Sequence, residues 1–136
     1  MGSNRGRDSR MVTTLELIFA GLASVIHIYI FVLESVLWGK PKTNRVFNLS
    51  QEQAQANRLF AFNQGFYNLF LALAGAIGIS MEICEKADGV GQALVIYACA
   101  SMLAAAIVLF FSARNLRGAV IQGLAPLLAL LFAALN

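Results

Sequence analysis

Four long apolar stretches, separated by short polar segments, dominate the chain. They lie near residues 12–38, 58–80, 91–112 and 118–135. Each stretch is long enough to cross a hydrocarbon core of about 30 Å when it is helical, because an α-helix rises about 1.5 Å per residue. The pattern therefore predicts an all-α, polytopic integral membrane protein that folds as a bundle of four transmembrane helices.

The segment before the first apolar stretch, residues 1–11, is polar, basic and contains glycine. This composition is typical of a disordered N-terminal extension or of a remnant of an expression vector. Residues 12–136 then form the four-helix transmembrane domain. The first stretch runs into LESVLWGKPK without a small-residue cleavage pattern. We therefore expect it to remain as a helix rather than to be removed as a signal peptide.

Composition supports a membrane location. Hydrophobic residues make up 59% of the chain and charged residues 12%, and the mean hydropathy is +0.71. A soluble domain carries about 25% charged residues. The net charge of +3 comes from residues that flank the apolar stretches. We therefore expect membrane lipids as partners, and no nucleic acid.

Basic residues in the short connections predict the orientation in the cell membrane, since Lys and Arg are retained on the cytoplasmic side. Six of them flank the first and third connections: Lys40, Lys42, Arg45, Arg58, Arg114 and Arg117. The second connection holds Lys86 beside several acidic residues, while three further arginines precede the first stretch. The balance predicts that the first and third connections are cytoplasmic and that both termini are extracytoplasmic.

Polar residues inside the apolar stretches are the strongest indication of a site. A charged side chain at the centre of a membrane helix costs roughly 2.5 to 3.5 kcal/mol on insertion scales. The first stretch contains His27 and Glu34. Their separation of seven residues is two helical turns, so they share a face and lie about 10 Å apart along the axis. Glu34 is the nearer of the two to the predicted cytoplasmic end.

Further polar and basic residues fall in the same half of the predicted bundle, in the first turns of the second and fourth helices and beside the first and third connections. Together they predict a polar intramembrane pocket that opens to the cytoplasm and binds a small amphiphilic or lipid-derived molecule. The candidate ligand-binding residues are Asn63, Gln64, Tyr67, Asn68, Gln122, Arg58 and Arg114.

Several roles for the two ionisable residues of the first helix remain open. Glu34 is either a carboxylate paired with His27 or Arg114, or a neutral acid that donates a hydrogen bond. Since histidine titrates near neutral pH, His27 and Glu34 are also candidate catalytic residues, an acid/base pair of a membrane enzyme with a hydrophobic substrate. A third interpretation is structural, because polar side chains in membrane helices often only bridge neighbouring helices.

Metal and cofactor chemistry is not indicated by the residue types present. The chain contains one histidine and two cysteines, which offers no ligand spacing for zinc, haem or an iron–sulfur cluster. No glycine-rich phosphate loop is visible. We therefore expect no metal and no cofactor. Small residues at four-residue spacing favour close helix packing and leave the oligomeric state open between a monomer and a homo-oligomer, either dimer or trimer.

Four sequence blocks resemble a known family. HIYIFVLESVLWGKP, RVFNLS, FNQGFYNLFLA and IQGLAPLLALL, in this order, are similar to the small bacterial membrane proteins catalogued as domain of unknown function 1304. The resemblance covers nearly everything from Leu15 to the C-terminus. It implies four helices and an integral membrane location, and it supplies no activity.

A second resemblance concerns the segment RLFAFNQGFYNLFLALAGAIG. It is similar to the second helix of the membrane-associated proteins in eicosanoid and glutathione metabolism, which are trimers. That resemblance implies Arg58, Asn63 and Tyr67 at a glutathione site, with glutathione-type thiol chemistry as an alternative function. The chain departs from that family's pattern in two places. Gly65 and Phe66 stand where an acidic residue usually follows the asparagine, and Gln122 stands where an arginine would activate the thiol.

Overall fold

The computed structural model describes residues 2–84 and 89–136. These residues form α-helices and no strand. A π-helical turn, Val32–Val36, continues the first helix. The helices are α1 (Gly2–Phe31), α2 (Pro41–Phe47), α3 (Gln51–Ala56), α4 (Arg58–Ile83), α5 (Val90–Ala113) and α6 (Leu116–Ala133).

Four helical segments are long and apolar enough to cross a membrane. They are Arg10–Val36, Arg58–Ile83, Val90–Ala113 and Leu116–Ala134. Their ends lie within a few residues of the predicted ones, because long apolar runs are a local property of the sequence. The predicted fold class, an all-α chain with four candidate transmembrane helices, is confirmed.

The N-terminal segment differs from the expectation. The sequence predicts a disordered extension over residues 1–11, whereas α1 begins at Gly2. Residues 2–11 are therefore helical, and Met1 lies outside the described residues. Extending an existing helix adds one hydrogen bond for each residue that is ordered, so the membrane-spanning part of α1 can propagate into a polar segment that would not form a helix alone.

The four spanning helices form a closed ring. α1 packs against α4 and α6, and α5 packs against the same two helices from the other side. Successive spans run antiparallel, so the C-terminal ends of α1 and α5 lie at the same end as the N-terminal ends of α4 and α6. We call this the loop end, since it also carries α2 and α3. The opposite end, with the start of α1 and the end of α6, is the termini end.

Apolar side chains, several of them alanine, fill the centre of the ring. One buried layer contains Ala20, Val95, Cys99 and Ala129, and the next layer towards the loop end contains Ala23, Met102 and Ala125. α4 and α5 are in close contact at Gly78. A Cβ atom there would lie 2.8 Å from the carbonyl oxygen of Gly91, so the two backbones approach as in other small-residue membrane contacts.

The connection between α1 and α4 is an ordered cap on the loop end. The Trp38 indole Nε1 donates to the Ala54 carbonyl oxygen at 2.7 Å, and its ring packs against Phe47 with centroids 5.3 Å apart. Asn44 Nδ2 donates to Gln51 Oε1 at 2.8 Å, which joins α2 to α3. These contacts hold the cap beside the end of α1, where Glu34 lies.

Candidate functional site

Glu34 lies in the π-helical turn that ends α1. The backbone N–H of Leu37 donates to the Val32 carbonyl oxygen, five residues back, at 2.9 Å. A π turn holds one more residue than an α turn and is frequent at functional sites. The next side chain, Ser35, donates from Oγ to the Phe62 carbonyl oxygen at 2.9 Å, so the turn is attached directly to α4.

Gly65 allows this close contact between α1 and α4. A Cβ atom at this position would overlap Ser35 Oγ and lie 3.1 Å from Glu34 Cβ. Glycine lets helix backbones approach in membranes because it presents no side chain. Gly65 is therefore a packing position at the contact between the π turn and α4.

Glu34 and Asn68 form a hydrogen-bonded pair between α1 and α4. Asn68 Nδ2 donates to Glu34 Oε2 at 2.9 Å and to the Gln64 carbonyl oxygen at 3.1 Å. An ionised Glu34 carboxylate and the Gln64 carbonyl oxygen can only accept hydrogen bonds. The Asn68 group that lies between them is therefore the amide nitrogen and not the amide oxygen. Asn68 is buried, and Glu34 is half-buried. The structure thus brings two of the predicted site residues together.

Two oxygen atoms of this pair remain available. Among the described residues, Asn68 is the hydrogen-bond partner of Glu34, and it engages Oε2. Glu34 Oε1 and Asn68 Oδ1 take part in none of the hydrogen bonds described for this pair, and neither is among the fully enclosed polar atoms without a partner. The pair therefore presents two acceptors to a molecule that carries a hydrogen-bond donor.

His27 does not join this pair. Its side chain is fully buried, and Nδ1 lies 2.9 Å from the Ala23 carbonyl oxygen one turn back in α1. Nδ1 therefore carries the hydrogen, and Nε2 is a buried acceptor with no partner among the described residues. The predicted pairing of Glu34 with His27 or Arg114 is not formed, because the π turn directs the carboxylate to Asn68 and His27 lies about two turns away.

The predicted polar residues of α4 do not converge on one pocket. Asn63, Gln64 and Tyr67 are exposed on the outside of the bundle, with Tyr67 62% exposed. Five residues separate Asn63 from Asn68, a rotation of about 140° around the helix, so the two amides face different directions. Gln64 contributes its backbone carbonyl oxygen to the Asn68 contact, not its side chain.

The remaining candidates lie around the loop end without contacting the Glu34–Asn68 pair. Gln122 is half-buried on α6, and Arg58 and Arg114 are exposed. Arg114 ends α5 in a left-handed conformation, with φ of 50°. None of the three donates to Glu34 or Asn68 among the described contacts. Their placement at one end of the bundle follows from the antiparallel topology, and their role in binding stays a prediction.

Two surface grooves, each about 320 Å³, lie away from this pair. One is on α4 towards the termini end, between Leu73 and Cys84. The other lies between α5 and α6, from Leu103 to Phe111 and from Leu116 to Leu127, and is apolar. Neither groove is lined by His27, Glu34 or Asn68, so neither is the predicted polar pocket.

One buried carboxylate was not among the predicted site residues. Glu16 is fully buried near the start of the first span. It precedes His27 by eleven residues, about three helical turns, so Glu16, His27 and Glu34 lie along one stripe of α1. A single acid inside the apolar run LELIFAGLA is the sequence signal that identifies it.

The comparisons with known proteins place the chain in a family without assigning it an activity. Residues 21–134 match the profile described as Protein of unknown function (DUF1304). The match includes the Glu34–Asn68 pair, and it begins within the first membrane span and ends at the last residue of the fourth. No curated protein and no solved structure matches the chain. The chain belongs to the DUF1304 family, as its four sequence blocks predict.

Proposed function

We propose that this membrane protein binds a small amphiphilic or lipid-derived molecule at the loop end, with the polar group of that molecule bound to Glu34 and Asn68. The observation that carries the proposal is a half-buried carboxyl group with one oxygen held by Asn68 and the other outside the described hydrogen bonds. A site with two acceptors selects a donor, such as a hydroxyl or an amine.

Energetics support a ligand at this position. A carboxylate that leaves water is stabilised only by partners that satisfy its oxygens. Asn68 satisfies one oxygen of Glu34, and a donor from a ligand would satisfy the other. The exposed apolar side chains of Val36 and Phe62 adjoin the π turn, and they supply the apolar surface on which the rest of an amphiphile would lie.

The single tryptophan provides a direct test. Trp38 is the chain's one tryptophan and lies four residues beyond Glu34. We expect a brominated long-chain alcohol to quench its fluorescence saturably in lipid nanodiscs. Glu34→Gln is expected to weaken apparent binding about tenfold, because a hydrogen bond to a charged group contributes roughly 1.5 to 3 kcal/mol.

Asn63→Ala is the matched control, since Asn63 is a polar residue of the same helix on the exposed side. It should leave the titration unchanged. Quenching that rises in proportion to the bromine content of the bilayer, equally in the wild type and in Glu34→Gln, would show partitioning into lipid and would refute the site. Mass spectrometry of the recovered alcohol should show it unchanged, whereas a modified alcohol would favour the enzyme alternative.

We further propose that the loop end faces the cytoplasm and that both termini are extracytoplasmic. Six basic residues adjoin the two connections at the loop end, and such residues are retained on the cytoplasmic side. Cys84 is exposed at the termini end and Cys99 is buried. A membrane-impermeant maleimide added to intact cells is therefore expected to label Cys84.

The reciprocal variant completes the topology test. Lys42→Cys in a Cys84→Ser background places the thiol on α2 at the loop end. We expect labelling of this variant only after the cells are permeabilised. Labelling of Lys42→Cys in intact cells, with Cys84 protected in the wild type, would reverse the proposed orientation.

A further inference from the structure

A second ionisable group is buried in the bundle, far from the Glu34–Asn68 pair. Glu16 lies within the first membrane span and is fully buried. Both of its carboxyl oxygens lack a hydrogen-bond partner among the described residues. An ionised carboxylate without a partner is very costly in an apolar interior, so this side chain requires either a bound cation or a proton.

The polar groups that face Glu16 come from α4 and α5. Glu82 of α4 and Gln92 of α5 are close enough to interact with it, and Cys99 of α5 also faces it. The adjacent part of α6, from Leu124 to Ala133, carries no ionisable side chain. In the described part of the chain, no lysine, arginine or histidine forms a hydrogen bond with the Glu16 carboxyl group.

Glu82 links this interior position to the surface. It is half-buried near the end of α4, and its Oε1 lies 2.5 Å from the point where a Cβ of Gly91 would be. The absence of a side chain at Gly91 thus leaves space for the Glu82 carboxylate beside the start of α5. A proton that reaches Glu82 from the termini end therefore has an acceptor further inside at Glu16.

Apolar packing separates Glu16 from the loop-end site. Glu16 and His27 are about 16 Å apart along the helix axis. Between them lie the two buried layers that include Ala20, Cys99 and Met102. The Glu16 position is therefore independent of the ligand site proposed at Glu34.

We propose that Glu16 is a membrane-buried proton-binding site that exchanges its proton with the termini side through Glu82. In the exchange step, the O–H bond of a Glu82 carboxylic acid breaks and an O–H bond forms on the Glu16 carboxylate. One proton thus moves from Glu82 to Glu16, and the negative charge moves from Glu16 to Glu82. A proton needs one acceptor, which fits this set better than a metal ion does, because no group of three metal ligands occurs in residues 2–84 and 89–136.

Dicyclohexylcarbodiimide tests the proposal, because this apolar reagent adds to protonated carboxyl groups inside membranes and leaves a stable N-acylurea. The full chain in liposomes is treated over a range of pH, and the modified residue is located by mass spectrometry. We expect modification of Glu16, with a rate that falls about tenfold per pH unit above its midpoint, as for a single titrating group. Glu82→Gln should slow the exchange of the Glu16 proton for deuterium, because it removes the group through which that proton reaches the termini side.

Two controls make the result decisive. Glu16→Gln preserves the size of the side chain and should abolish the adduct, while Glu52, exposed on α3 outside the spans, should react only with a water-soluble carbodiimide. Infrared spectroscopy should show a protonated-acid carbonyl band that Glu16→Gln removes. Absence of both the adduct and the band across the pH range would overturn the proposal. Protection of Glu16 by sodium at constant pH would overturn it in favour of a metal cation.

Discussion

Gly78→Ala is expected to destabilise the bundle by about 1 to 3 kcal/mol, the usual cost of overpacking a filled interior. The new Cβ would lie 2.8 Å from the Gly91 carbonyl oxygen and 2.9 Å from the Val95 nitrogen. Both are backbone atoms of α5, so rotation of a side chain cannot relieve the contact. Reversible unfolding in mixed micelles, followed by helical circular dichroism, measures the loss.

Gly21→Ala is the matched control. Its Cβ would meet only Ile79 Cδ1, at 4.0 Å, and alanine is the better helix former by about 1 kcal/mol at either glycine. We therefore expect Gly21→Ala to be neutral or slightly stabilising. Equal effects of the two substitutions would show that α4 and α5 do not depend on close backbone contact at Gly78.

Asn68→Ala is the second substitution with a large expected effect. It removes the donor that holds Glu34 Oε2 at 2.9 Å, and it leaves a half-buried carboxylate without a described partner. Hydrogen bonds to charged groups contribute roughly 1.5 to 3 kcal/mol, so we expect a loss of unfolding free energy of that size. The same micelle unfolding assay measures it, and Asn63→Ala, on the exposed side of α4, should change stability by less than about 0.5 kcal/mol.

A double-mutant cycle measures the coupling free energy between Glu34 and Asn68, apart from the contribution of each residue taken singly. Glu34→Gln retains an oxygen that accepts from Asn68, so it should cost less than Glu34→Ala. In a Glu34→Ala background, Asn68→Ala should cost less than it does in the wild type, with a coupling of roughly 0.5 to 3 kcal/mol. Additive effects would mean that the hydrogen bond contributes nothing to stability.

The loop-end location of the candidate site could be predicted because topology is encoded locally. Apolar runs define the spans, and an antiparallel order then places the end of α1 and the start of α4 together. Glu34 and Asn68 consequently had to lie at the same end of the bundle. Their direct contact depends on Gly65 and on the π turn, and neither has a signature in the spacing of apolar residues.

The sequence could not predict, for a related reason, which polar residues of α4 face the bundle interior. Asn63, Gln64, Tyr67 and Asn68 form one polar cluster in the sequence, but helical rotation separates them in space. In a membrane helix the lipid-facing and buried surfaces are both apolar, so the hydrophobic pattern does not reveal which face turns inward. Only the packing of α1 and α5 against Gly65 and Gly75 selects Asn68 as the buried amide.

The sequence by itself determined the fold class, the four membrane spans, the family and the end of the bundle that carries most of the polar groups. Each of these follows from the lengths, order and composition of segments, which are properties of neighbouring residues. The tertiary structure alone decided that Glu34 pairs with Asn68 and not with His27, and that Glu16 is fully enclosed. These outcomes depend on which helix faces touch, and side-chain packing between distant segments settles that choice.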